Sequence, residues 1–151
     1  MKMPKTRTQG TTKVRISYSP NQTIQIGRAI GSRLKAGTVI ALIGALGCGK
    51  TTLVKGLATG LGVRNQRQVR SPSFVIFHTY RGRVPLYHFD LFRLNDRVDW
   101  AEIGMEEYLQ DPGAVSVIEW ADRIPQILEQ ANVEIRMSAP EPRRRVIRLR
   151  E

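Results

Sequence analysis

The spacing of hydrophobic residues along this chain changes between strand-like and helix-like patterns. Residues 38–43 and 114–118 are continuous apolar runs, which are typical of parallel strands buried on both faces. Between these runs, apolar residues recur at helical spacing over about 50–61. Strands that alternate with helices predict an α/β fold with a mostly parallel central sheet. Helices on both faces of that sheet would make a three-layer sandwich.

The first part of the chain predicts a short strand followed by a helix. Apolar and polar residues alternate over 14–18, which is the pattern of a strand. Ser19 is placed to cap a helix that has Pro20 at its first position, and Gly37 is expected to end it. The apolar stripe of this helix would be Ile24, Ile26, Ile30 and Leu34.

A β-hairpin insertion is predicted after the second helix. Two strand-like segments, 74–80 and 84–91, are separated by Arg81, Gly82 and Arg83. The remaining predicted elements are helices over about 100–109 and 125–130, and strands over about 133–137 and 145–150.

Residues 44–51 read G-A-L-G-C-G-K-T and match the phosphate-binding pattern G-x-x-x-x-G-K-[ST]. They lie between a predicted strand and a predicted helix, which is the context that this motif requires. Gly44 and Gly49 permit backbone angles that direct successive N–H groups at phosphate oxygens, at a helix start that favours negative charge. Lys50 adds an ammonium at the β and γ phosphates, and Thr51 a hydroxyl for Mg²⁺. The sequence therefore predicts a P-loop protein that binds a nucleotide with Mg²⁺.

A phosphate loop needs acidic residues to hold Mg²⁺ and to orient water, and in open α/β sheets these follow the carboxyl ends of strands. Two residues fit this rule. Glu119 follows a mostly apolar strand, as the acid of a Walker B strand does, and Asp90 ends the second hairpin strand. His88 shares a strand face with Asp90, but a single histidine without a spaced partner indicates a packed or solvated ring rather than a metal ligand.

Four residues near this site allow two interpretations each. Trp120 is either a core residue or a cover over the site or a partner contact. Ser71 and Ser73 are either turn residues around Pro72 or a switch that senses the γ-phosphate. Cys48 is the only cysteine, which excludes an intramolecular disulfide, and it is either a small filler or a regulatory thiol.

The net charge of +11 is unevenly distributed along the chain. All 13 acidic residues lie at or after Asp90, whereas 15 of the 24 lysines and arginines precede it. Such asymmetry suggests an anionic partner larger than a nucleotide, and nucleic acid is the usual candidate. The alternative is a solvated arginine-rich surface, because no recognisable RNA-binding motif is present. The arginines considered for a tRNA contact are Arg64, Arg67, Arg70, Arg81 and Arg83.

Length and composition suggest one domain in the cytoplasm. Residues 1–13 are polar and basic and are expected to be a disordered tail, and 14–151 to be a single P-loop domain. No segment has the apolar length of a membrane span or the pattern of a signal peptide, so no membrane contact is expected.

Four segments together resemble the TsaE family, the ATPase of bacterial tRNA threonylcarbamoyladenosine synthesis. They are residues 44–52, S-P-S-F at 71–74, H-F-D-L-F-R-L at 88–94 and V-I-E-W at 117–120. Their order and spacing match the family from about Ser19 to Ile124. The phosphate loop alone would be generic, whereas H-x-D-L-F-R-L and I-E-W are far more specific.

The resemblance implies an ATPase that works with TsaD and TsaB, a pair that transfers the threonylcarbamoyl group to the adenosine beside the anticodon. By this likeness the cofactors are ATP and Mg²⁺, and the catalytic residues are Lys50, which binds phosphate, and Glu119, which activates water. The predicted Mg²⁺ ligands are Thr51, Asp90 and Glu119. The predicted nucleotide contacts are Gly44, Gly47, Cys48, Gly49, Lys50, Thr51, Thr52, Ser71, Ser73 and Trp120.

The sequence departs from the family pattern at three positions. Ala45 stands where an acidic residue is common, Ser73 where threonine is usual, and Phe92 where tyrosine is common. Ala45 puts in doubt any role that this carboxylate has in hydrolysis or docking. Two other functions remain as alternatives to the ATPase: a small-molecule or nucleoside kinase, and a nucleotide-gated RNA-binding module.

Overall fold

A computed structural model describes residues 10–70, 77–94 and 104–151. The described part contains seven strands and four helices. The strands are β1 Thr12–Ser17, β2 Val39–Gly44, β3 Phe77–Tyr80, β4 Leu86–Asp90, β5 Val115–Glu119, β6 Val133–Glu141 and β7 Arg144–Arg150. The helices are α1 Pro20–Gly31, α2 Lys50–Gly60, α3 Met105–Leu109 and α4 Pro125–Gln130.

The seven strands form one sheet in the order β1-β7-β6-β2-β5-β4-β3. Its four central strands, β6, β2, β5 and β4, run parallel, and the outer pairings β1/β7, β6/β7 and β3/β4 are antiparallel. The predicted α/β class, with a largely parallel sheet and an antiparallel hairpin, is confirmed. Strand β2, which leads into the predicted phosphate loop, lies at the centre of the sheet, beside β5.

Each face of the sheet has its own hydrophobic core, which makes the architecture three-layered. On one face, Ile40, Leu42 and Val117 pack with Leu53 and Leu57 of α2. On the other face, the alternate residues of β2 and β5 pack with α3 and α4, through Met105, Leu109 and Ile127. The two cores explain why β2 is apolar at every position rather than at every second one.

Helix α1 begins as predicted but ends earlier and packs differently. The Ser19 side chain accepts a hydrogen bond from the Gln22 amide at 3.1 Å, which is the predicted cap. The helix ends at Gly31 rather than at Gly37, whose amide instead donates to the Ala114 carbonyl at 2.7 Å. The buried stripe consists of Thr23, Gly27 and Gly31, whereas Ile24, Ile26 and Ile30 are only partly buried.

Glycines allow α1 and α2 to approach until their backbones touch. A Cβ on Gly27 would lie 2.6 Å from the Leu53 carbonyl oxygen and 2.9 Å from the Gly56 Cα. A Cβ on Gly56 would in turn lie 2.3 Å from the Ile24 carbonyl oxygen. Real Cβ contacts are not this short, so any side chain at these positions forces the helices apart.

Replacing Gly27 with alanine is therefore expected to destabilise the fold by about 1–3 kcal/mol, the usual cost of overpacking. Helix propensity alone predicts that alanine increases the free energy of unfolding by about 1 kcal/mol, so the two effects have opposite signs. Urea denaturation measures the change in the free energy of unfolding. The control is Gln25→Ala on the exposed face of α1, which should change stability by less than about 0.5 kcal/mol. A Gly27→Ala protein as stable as the parent would contradict the close contact.

Other element boundaries also differ from the prediction. Thr12 and Lys13 belong to β1 rather than to the expected tail, because they pair with Arg150 and Leu149 of β7. Helix α3 begins at Met105, since Gly104 has a left-handed φ of 71° that a continuous helix cannot contain. The predicted helix start near residue 100 and the strand start at 74 lie outside the described residues.

The last hairpin is longer than expected, because β6 continues to Glu141.

No helix in the described segments has the length and apolar character needed to cross a membrane.

Candidate functional site

The phosphate loop connects β2, which ends at Gly44, to α2, which begins at Lys50. Gly47 and Gly49 have left-handed φ values of 78° and 99°, which side chains disfavour. Gly44 is required for a different reason: a Cβ there would lie 2.6 Å from the Cys48 Sγ and 2.7 Å from the Met137 carbonyl oxygen. The Cys48 side chain is buried under the loop, which supports its interpretation as a small filler.

The Lys50 ammonium is folded back over its own loop. It donates to the carbonyl oxygens of Gly44 at 2.6 Å and of Ala45 at 3.0 Å. Only 5% of the residue is exposed, and the Nζ lies 4.3 Å from the ring centroid of Trp120. The positive charge is thus held inside the loop by dipoles and by an aromatic face, and no carboxylate of the described residues pairs with it.

The structure brings Asp90 and Glu119 together, as the sequence predicted. β4 and β5 are parallel neighbours, and these two residues pair directly at the carboxyl ends of their strands. Glu119 also pairs with Leu42 of β2, two residues before the phosphate loop begins. Glu119 therefore lies beside the strand that leads into the loop, and Asp90 lies one strand farther along the sheet.

Thr51 connects the loop to Glu119. Its hydroxyl donates to the Glu119 carboxylate, with distances of 3.0 Å to Oε1 and 3.3 Å to Oε2. Asp90 Oδ1 accepts a hydrogen bond from the Phe92 amide at 2.9 Å. Thr52 follows on α2 and is partly buried.

One hydroxyl and two carboxylates fit Mg²⁺, which prefers oxygen ligands and takes few of them from protein. The described residues contain no cluster of three or more His, Cys, Asp or Glu side chains arranged for a metal ion. Thr51, Asp90 and Glu119 would leave the other positions of an Mg²⁺ ion to water and phosphate oxygen.

His88 contacts the Glu119 carboxylate, which the sequence analysis missed. The histidine is fully buried, as expected for a packed ring, and its Nε2 lies 2.5 Å from Glu119 Oε2. A signal was available: His88 lies on the same strand face as Asp90 and pairs with Val117, two residues before Glu119. Thr51 and His88 therefore hold the Glu119 carboxylate from two sides.

Trp120 covers the loop lysine. It has a left-handed φ of 61°, and it is the one non-glycine residue with positive φ in the described segments. Its ring lies 5.1 Å from that of Phe92 and 5.5 Å from the Arg123 guanidinium carbon. These contacts favour the interpretation of Trp120 as a cover over the site, although its edge also packs against the core on the α3 and α4 face.

Two arginines lie near the site without having been predicted there. The guanidinium of Arg123 packs on Trp120, and the Arg145 Nε lies 3.9 Å from the position of a Cβ on Gly49. Arg145 Nη1 donates to the carbonyls of Glu141, Pro142 and Arg144, which fix it in the β6–β7 turn. Ser71 and Ser73 of the predicted switch lie outside the described residues.

The sequence of this chain is similar to those of known proteins. The family model for threonylcarbamoyl adenosine biosynthesis protein TsaE matches residues 17–147. The tRNA threonylcarbamoyladenosine biosynthesis protein TsaE of Treponema pallidum is 42% identical over 120 residues, which are 80% of this chain and 87% of that protein. Its Bacillus subtilis counterpart is 40% identical over 79% of this chain and 73% of the relative.

A solved structure has a similar fold. The crystal structure of Bacillus subtilis YdiB aligns with a TM-score of 0.72 and 29% identity, over 93% of this chain and 86% of that one. The chain therefore belongs to the TsaE family, which takes part in tRNA threonylcarbamoyladenosine biosynthesis.

Proposed function

We propose that this chain is a Mg²⁺-dependent ATPase that hydrolyses ATP slowly and, through that cycle, supports TsaD and TsaB in tRNA modification. The observation that carries the proposal is the contact between Thr51 of the phosphate loop and Glu119 at the end of β5, with Asp90 paired beside it. A P-loop protein needs its metal ligands and its base beside the loop, and this contact supports that role for these residues. The proposed place of action is the cytoplasm, with tRNA.

The phosphate loop supplies the binding energy for the nucleotide. The Lys50 ammonium now donates to two carbonyl oxygens of the loop. Phosphate oxygens carry negative charge and form stronger hydrogen bonds with an ammonium than neutral carbonyls do. ATP would therefore draw the ammonium away from these carbonyls and from the face of Trp120.

Asp90 and Glu119 would serve two functions, which are the binding of Mg²⁺ and the activation of water. Thr51 and Asp90, together with Glu119, would hold Mg²⁺, which neutralises charge on the phosphates when it is bound. Glu119 would also orient the attacking water and accept its proton. Its contacts with Thr51 and His88 fix the direction of the carboxylate before the reaction, which lowers the cost of reaching the reactive geometry.

We expect the isolated chain to hydrolyse ATP slowly and to become several-fold faster when TsaD and TsaB are added. The phosphate-loop motif itself provides no arginine for the transferring phosphoryl group, and a partner's arginine adds about 10³–10⁵ in rate in other nucleotide switches. A phosphate-release assay of the chain alone and with the pair measures the effect. Release without a phosphorylated acceptor would also separate an ATPase from a kinase.

The controls for this experiment are two arginines of the chain itself. Arg93 is three residues beyond Asp90, and Arg145 lies beside Gly49. Arg93→Ala and Arg145→Ala should each retain most of the stimulation if the partner supplies the activating group. Fast turnover by the chain alone that collapses in either variant would instead show that it carries its own arginine.

A further inference from the structure

A basic cleft lies at the end of the sheet opposite the phosphate loop. It has a volume of about 810 Å³ and lies between the residues that follow α2 and the β3–β4 hairpin. Its polar lining includes Arg64, Asn65, Gln68, Thr79, Arg81 and Arg83. Helix α2, Lys50–Gly60, lies between the cleft and the phosphate loop, and its 11 residues span about 16 Å at 1.5 Å per residue. The cleft is therefore distinct from the nucleotide site.

Backbone contacts fix the shape of the cleft. The Arg83 amide donates to the Leu61 carbonyl at 2.8 Å, which joins the hairpin to the end of α2. Gly82 makes this approach possible, since a Cβ there would lie 2.3 Å from the Leu61 carbonyl oxygen. The two walls are thus held together before any ligand arrives, which reduces the entropy that binding would otherwise lose.

The three arginines of the cleft have different roles. Arg83 was predicted as a tRNA contact, but its Nη2 donates to the carbonyls of Gly31 at 3.0 Å, Ser32 at 3.3 Å and Leu34 at 3.2 Å. It therefore stabilises the end of α1. Arg64 and Arg81 are exposed, and none of the ion pairs found in the described segments includes either of them.

Further basic residues surround the cleft, so the positive surface is larger than a single phosphate group. Exposed Arg33 and Lys35 flank Leu34, which Arg83 binds, and exposed Arg67 and Arg70 follow Arg64 along the chain. No acidic residue occurs before Asp90 in the sequence, so no near neighbour along these segments offsets the charge. The surface suits a chain of anions rather than a single ion.

We infer that the basic cleft binds the phosphodiester backbone of RNA, with Arg64 and Arg81 as its principal contacts. The guanidinium fork matches phosphate oxygens in pairs, and the exposed Gln68 and Thr79 side chains can reach ribose hydroxyls or base edges. The inference rests on the proposed function for its biological setting, since it gives a tRNA-modification protein a surface for RNA. Its location allows RNA and ATP to bind at the same time.

The test measures binding of an unmodified tRNA transcript to the full chain by fluorescence anisotropy, over a range of salt concentrations. In Arg64→Ala/Arg81→Ala, the negative slope of log affinity against log salt should become less steep by roughly two. The affinity near 0.1 M salt should decrease roughly tenfold or more. The matched control is Arg15→Ala/Arg148→Ala, which removes equal charge from exposed positions on β1 and β7. Its affinity should stay within about twofold of the parent, since ordinary surface charges contribute little.

Three results would overturn the inference. They are equal losses in both double variants, no tRNA binding at low salt, and displacement of tRNA by poly-glutamate of equal charge, which would indicate an acidic protein partner. ATP binding by Arg64→Ala/Arg81→Ala should match the parent, and tRNA binding by Lys50→Ala should also be normal. If the parent chain binds tRNA but does not hydrolyse ATP, only the proposed function is contradicted. If it hydrolyses ATP but does not bind tRNA, only the inference about the cleft is contradicted.

Discussion

Lys50→Ala is expected to abolish tight binding of ATP. The ammonium is the one side-chain cation that the phosphate-loop motif brings to the β and γ phosphates. A hydrogen bond to a charged group contributes about 1.5–3 kcal/mol, so the dissociation constant should rise roughly 10- to 100-fold. Isothermal titration calorimetry with ATP and Mg²⁺ measures the loss directly.

The result needs a control, because Lys50 also binds the Gly44 and Ala45 carbonyls and its removal can loosen the loop. Lys55→Ala removes the same charge from the same helix, farther from the loop, and should leave ATP affinity unchanged. Thermal melts of both variants show whether the fold survives. Unchanged ATP affinity in a folded Lys50→Ala protein would mean that residues 44–51 do not cradle phosphate.

The parallel core of the sheet could be predicted because β2 and β5 are apolar at nearly every position. Burial on both faces leaves this signal, and few other elements produce it. The α1–α2 interface could not be predicted in the same way. Hydrophobic periodicity pointed to the isoleucines of α1, whereas Gly27 and Gly31 form the contact, and glycine contributes nothing to a hydrophobic pattern.

The parts of the candidate site that lie at strand ends could be predicted from the sequence. The parts that depend on pairing between strands far apart in the sequence could not. Asp90 and Glu119 each end a strand, so their meeting followed from a general rule. The contact of Arg145 with the loop depends on β7 folding back beside β6, which in turn neighbours β2, and no local pattern encodes that order. The left-handed backbone of Trp120 likewise has no signal in residue type.

Glu119→Gln is expected to retain bound ATP and Mg²⁺ while slowing hydrolysis by about 10²-fold or more, the usual loss when a general base is removed. Glutamine keeps the shape of the side chain, and its carbonyl oxygen can still accept the Thr51 hydroxyl, which lies 3.0 Å from Oε1. The amide nitrogen can donate to His88 Nε2 when that nitrogen is unprotonated. What the amide cannot do is accept a proton from water, so binding and turnover should separate.

The comparison variants are Asp122→Asn and Asp90→Asn, assayed by calorimetry and single-turnover phosphate release. Asp122 is exposed, and replacing its carboxylate should leave the hydrolysis rate unchanged. Asp90→Asn should shift the Mg²⁺ concentration needed for half-maximal activity to higher values, since it removes a charged oxygen ligand without touching the base. Hydrolysis at the parent rate in Glu119→Gln would reject Glu119 as the base and leave Asp90 as the acid at the end of the neighbouring strand to be tested next. A loss of ATP and Mg²⁺ binding in Glu119→Gln would show instead that the carboxylate acts mainly as an Mg²⁺ ligand, because removal of a general base slows the chemical step without weakening nucleotide binding.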